Sequence, residues 1–93
     1  MIAANTIGAA FEQASRLLEE AGIGESRLDA RLLVAHATDN ETATIFGFPE
    51  RPIDKEQVFL LETLLQRRIA REPMAYILKT REFWSLPFIV SSD

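Results

Sequence analysis

The sequence predicts an all-α fold, a small bundle of four to five helices followed by a C-terminal β-hairpin. Three observations predict it. Glycine and proline are scarce, four of each in 93 residues, which favours helices over turn-rich β structure. Apolar residues recur at three- and four-residue steps through most of the chain, the period of a helix with one buried face. The last stretch, Phe83 to Val90, abandons that period and is aromatic and β-branched, the composition of strands.

Each element has its own signals. Ile7, Ala10, Phe11, Ala14, Leu17, Leu18 and Ala21 share one side of a helix expected over 7–21, while Glu12, Arg16, Glu19 and Glu20 face away. Thr6 or Asn5 can cap its start, and Gly22 suits its stop. A second helix is expected over 27–38, with Ser26 as N-cap and Asp29 completing a capping-box-like pair. It is apolar on two sides, through Leu28, Leu32 and Ala35 and through Ala30, Leu33, Val34 and Ala37, so it belongs at the centre. Asn40 can cap a short third helix over 41–46, broken by Gly47-Phe48-Pro49-Glu50-Arg51-Pro52. Asp54, with Gln57 as box partner, opens the longest helix, which runs to Arg71 and buries Val58, Leu61, Leu64, Leu65 and Ile69. Pro73 ends it or begins a short fifth helix through Met74-Ala75-Tyr76-Ile77.

The segment Phe83-Trp84-Ser85-Leu86-Pro87-Phe88-Ile89-Val90 reads as a hairpin or an extended tail, with a turn near Ser85 to Pro87. Neighbours in a strand face opposite sides, so one of Phe83 and Trp84 can pack on the bundle and the other on a further domain. Leu86 and Phe88 join them as candidate interdomain residues. A two-stranded hairpin is marginal alone in water. An apolar one ending at Ser91-Ser92-Asp93 is therefore expected where a longer chain has been cut.

Composition excludes several functions. At 47% hydrophobic and 26% charged residues the chain can build a core and is no disordered tail. With no Cys there is no disulfide scaffold, thiolate zinc site or cysteine nucleophile. The net charge of −4 argues against direct nucleic-acid binding, which needs a basic footprint. No apolar run approaches the roughly 20 residues that span a bilayer, and the N-terminus lacks the pattern of a signal peptide. A cytoplasmic protein is expected.

No catalytic, cofactor-binding or metal site is predicted. His36 lies seven residues after Asp29, on the same helix face but about 10 Å away along the axis, too far for an acid–base pair. The expected roles are a capping Asp29 and a partly buried His36. Arg67, Arg68 and Arg71 end the long helix. They complement the helix dipole there and are the candidate contacts to a partner. The acids Glu12, Glu19 and Glu20 read as a solvated face. Neither G-x-G-x-x-G, a P-loop nor G-x-S-x-G occurs.

One run is more specific than composition. Arg67-Arg68, Glu72-Pro73, Ala75-Tyr76-Ile77 and Glu82-Phe83-Trp84 follow in the order that resembles the N-terminal region of the HemK/PrmC family of methyltransferases. Upstream, Arg27-Leu28-Asp29-Ala30-Arg31-Leu32-Leu33 followed by Ala35-His36, the Pro49-Glu50 turn and Gln57 are also similar to that family. The resemblance implies a division of the chain: residues 1–78 as a helical domain that recognises peptide chain release factors, and 79–93 as a hairpin linker. The linker would lead to a Rossmann-like domain that binds S-adenosylmethionine and carries the catalytic Asn-Pro-Pro-Tyr motif. On this resemblance the parent protein methylates the glutamine of the release factor's Gly-Gly-Gln loop, while this chain alone is catalytically inert. Lys79-Thr80 departs from the family, which commonly has Gly after Ile-Leu, so the local turn there is expected to differ or to be strained.

Overall fold

The structure, a computed structural model, describes residues 2–85, with side chains through Lys79. It contains five helices: α1 (Ile7–Glu20), α2 (Ser26–Thr38), α3 (Thr42–Gly47), α4 (Lys55–Ile69) and α5 (Met74–Ser85). α2 is central and packs against all four others, as its two apolar sides predict. Ile7, Leu18, Leu33, Val34, Ile45, Leu61, Leu64, Leu65 and Ile77 fill the core from all five helices, each essentially without solvent exposure.

α1 starts where three devices meet. The Thr6 hydroxyl accepts the N–H of Ala9 at 3.2 Å, as expected of that cap. The N–H groups of Ile7 and Gly8 donate to the carbonyls of Arg51 and Pro49, both at 2.9 Å. Thr6 also forms an isolated antiparallel bridge with Pro52. The loop after α3 thus satisfies donors that a helix start otherwise leaves open. Only glycine allows this approach at position 8, because a Cβ there would stand 2.7 Å from that of Pro49. α1 ends at Gly22, φ 86°, with Ile23 N–H donating to the Leu18 carbonyl at 3.0 Å, the left-handed stop that glycine favours. At the start of α4 both halves of the Asp54–Gln57 capping box are formed.

Two caps differ from expectation. Ser26 lies inside α2, whose N-cap position is Glu25 with no side-chain bond, and Asp29 is drawn away to an arginine described below. Asn40 does not cap α3. Its amide nitrogen donates instead to the Thr38 carbonyl and hydroxyl at the end of α2.

The larger correction concerns the C-terminal hairpin. Among the described residues there is no strand, and residues 79–85 continue α5. After Pro73, whose carbonyl accepts from Tyr76 and Ile77, the run Met74 to Glu82 contains strong helix formers and no glycine or proline. Ile77 is fully buried and anchors the helix on the bundle. Propagating an anchored helix adds one hydrogen bond per residue, which outweighs the weak, context-dependent strand preference of Phe83 and Trp84. Lys79 therefore needs no positive φ. Among the described non-glycine residues only Asp39 and Arg71 adopt one. Leu86 to Asp93, the remainder of the expected hairpin, lie outside the described residues.

Candidate functional site

The three arginines singled out at the end of α4 are engaged within the chain. The Arg68 Nε donates to Asp29 Oδ2 at 2.9 Å, with only 8% of the Asp29 side chain exposed. Its Nη1 donates to the Glu72 carbonyl at 2.9 Å. Arg67 Nε pairs with Glu72 Oε1 at 2.6 Å. Arg71 Nη2 donates to the Ala21 carbonyl at 2.9 Å, at the end of α1, where a cation complements the helix dipole. These contacts tie the end of α4 to α1, to α2 and to the turn before α5. Asp29 is thus the anchor of a partly buried ion pair. The signal for it was an acid flanked by apolar positions, whose partner 39 residues away no local pattern specifies.

His36 is partly buried and lines a shallow cleft with Leu32, Asp39, Asn40 and Leu78; Asp29 pairs elsewhere. No group of three or more metal-ligating side chains occurs among the described residues. No helix among them is long and apolar enough to cross a membrane. Phe83 and Trp84 lie on α5, so the alternation of a strand does not apply to them. Leu86 and Phe88 fall outside the described residues.

A second cluster escaped the sequence reading. Phe11 of α1 and Phe46 of α3 meet edge to face, centroids 5.4 Å apart. Arg27 and Arg31, one turn apart on α2, cover them: the Arg27 guanidinium stands 4.9 Å from the Phe11 ring centre and that of Arg31 stands 5.6 Å from Phe46. On the next segment Arg51 stacks on Phe48 at 5.2 Å. Phe46 remains 53% exposed, beside an open, mainly apolar cleft between α1 and α3. The i, i+4 spacing of the two arginines was readable, but the aromatic rings come from other helices.

One carboxyl group is electrostatically distinct. Ile2 donates its N–H to Glu62 Oε2 at 2.9 Å, and this bond holds the Glu62 carboxyl below its ordinary 4.5. The Gln13 side-chain amide brackets Ala3, accepting from its N–H and donating to its carbonyl. The N-terminal segment is therefore laid across α1 and α4.

The fold and its surfaces define a class: a small helical module whose polar chemistry is concentrated in arginines that bridge helices or stack on aromatic rings. The chain belongs to the PrmC N-terminal domain family, whose model matches residues 9–78. It is similar to a release factor glutamine methyltransferase of Vibrio cholerae, 43% identical over 92% of this chain and 30% of that protein. It is likewise similar to one of Haemophilus influenzae, 46% identical over 71% of this chain and 23% of that protein. A bifunctional methyltransferase of Rickettsia bellii is 38% identical over 80% of this chain and 13% of its own length. The chain thus spans less than a third of each of these relatives. No solved structure matches it.

Proposed function

We propose that this chain is the substrate-recognition domain of a cytoplasmic, S-adenosylmethionine-dependent methyltransferase that modifies the glutamine of the Gly-Gly-Gln loop in peptide chain release factors. The observation that carries this reading is the family match over residues 9–78, joined to relatives named for that activity. Residues 1–78 would form the recognition domain, and the residues from 79 onward would lead toward a separate methyltransferase domain.

The residues of this chain do not fit the cofactor. Gly8 is packed against Pro49 and Gly22 ends α1. Gly22-Ile23-Gly24 before α2 follows a helix rather than a strand and has no third glycine. The described residues therefore lack the glycine-rich strand-to-helix cradle of N–H groups that holds a nucleotide. The domain's contribution is then to binding. A short glycine-rich loop offers few distinguishing contacts, and a glutamine amide is a poor nucleophile. A second contact far from the reacting nitrogen raises its effective concentration and fixes its orientation.

The test is methylation of intact release factor by the full-length protein with and without residues 1–78. Deletion should raise KM for the intact factor while cofactor binding persists. Unchanged turnover of the intact factor would refute a recognition role.

A further inference from the structure

We propose that the face formed by Phe46, Arg27 and Arg31 is the surface on which this domain holds its protein partner, and that it receives a segment presenting carboxylates beside an apolar side chain. The identity of that partner as a release factor rests on the function proposed above; the choice of face does not.

Charge complementarity selects the occupant. Arg67, Arg68 and Arg71 are held by carboxylates or a helix-end carbonyl. Arg31 has no carboxylate within ion-pair distance among the described residues, and its Nε is buried without a hydrogen-bond acceptor. Arg27 has only Glu12, at 3.8 Å with both side chains about 60% exposed, a separation that contributes little. On a chain of net charge −4, two guanidinium groups one helical turn apart are thus left undercompensated on one face. The remaining N–H donors suit a carboxylate, which arginine can engage in bidentate fashion.

The aromatic floor completes the site. Stacking on Phe11 and Phe46 orders the guanidinium groups before a partner arrives, so little side-chain freedom is lost on binding. Phe46 is half in water, and the adjoining cleft offers Ala9, Ile45 and Pro49 to an apolar side chain. Glu12 and Glu50 also line this cleft. They disfavour a carboxylate inside the cleft itself, so the partner's acids belong beside Arg31, which lies over Phe46 outside that lining. Arginine and aromatic side chains together are the composition of interface hot spots. Phe59 is also exposed, at 60%, but no arginine among the described residues stacks on it.

The experiment uses the full-length enzyme and two substrates, intact release factor and a short peptide containing the Gly-Gly-Gln loop. Arg31→Glu and Phe46→Ala should each raise KM for the intact factor by about tenfold, the scale of an interface anchor. They should leave kcat, and turnover of the peptide, unchanged. Arg31→Lys should fall between, because it keeps the charge but loses the planar stack, and Phe59→Ala should match the wild type. Normal KM in both face variants, or parallel loss on both substrates, would overturn the proposal. So would an equal defect in Phe59→Ala. If the wild-type enzyme itself fails to methylate release factor, the functional reading falls and takes this partner with it. An active wild type with unaffected face variants removes the docking face alone.

Discussion

Asp29 and Arg68 are the residues on which the polar interior depends. Removing the acid leaves a guanidinium, three-quarters buried at its side chain, without its charged partner. Asp29→Ala should therefore destabilise the domain by about 2 kcal/mol, somewhat below the cost of breaking a fully buried pair. Urea denaturation checks this. Glu62 acts through pH. Its carboxyl is held below the ordinary value by the Ile2 N–H, so the folded state favours the ionised form. That contribution is fully present above the unfolded-state value and is lost as pH falls through the folded one. The stability gap between wild type and Glu62→Gln should accordingly be widest near neutrality and close on acidification, which melting curves across pH would show.

At the scale of elements, the contact between the start of α1 and the loop after α3 is the tightest constraint. Gly8→Ala places a methyl group against the Pro49 ring and carbonyl. It should cost about 1–3 kcal/mol despite alanine's better helix propensity, measured as a drop in unfolding free energy. Truncating Leu33 of α2 or Leu61 of α4 to Ala should cost about 2–5 kcal/mol, since both are fully buried where several helices meet. Periodicity made these positions legible, along with the start of α1 at Thr6, its Gly22 stop and the Asp54–Gln57 box, because each is set by residues within a turn of one another. The arginine contacts and the aromatic face were not legible, because each joins separate helices. The C-terminal segment misled for a related reason. Composition registered Phe83 and Trp84, while the outcome there is dictated by Ile77, whose burial commits α5 to its helical course.

For the whole molecule, the central fact is that α2 touches every other helix while using different sides for different tasks. One side buries Leu33 and Val34, Asp29 receives the end of α4, and Arg27 and Arg31 lie over the rings of α1 and α3. A partner seated on the arginines would therefore press on the same helix that holds the core together. Binding and folding are coupled by mass action in such an arrangement.

Arg71 carries a consequence of its own. It occupies the left-handed region at φ 76°, where the turn from α4 toward α5 begins, and its guanidinium grips the last carbonyl beyond α1. Helix ends normally unravel independently, each sampling coil on its own clock. Here one side chain belongs to both, so fraying at either end costs the other a hydrogen bond. The burial of Ile77 sets the heading of α5, and the Arg71–Ala21 bond carries word of it to the end of α1, much as a tiller line runs beside the rudder post.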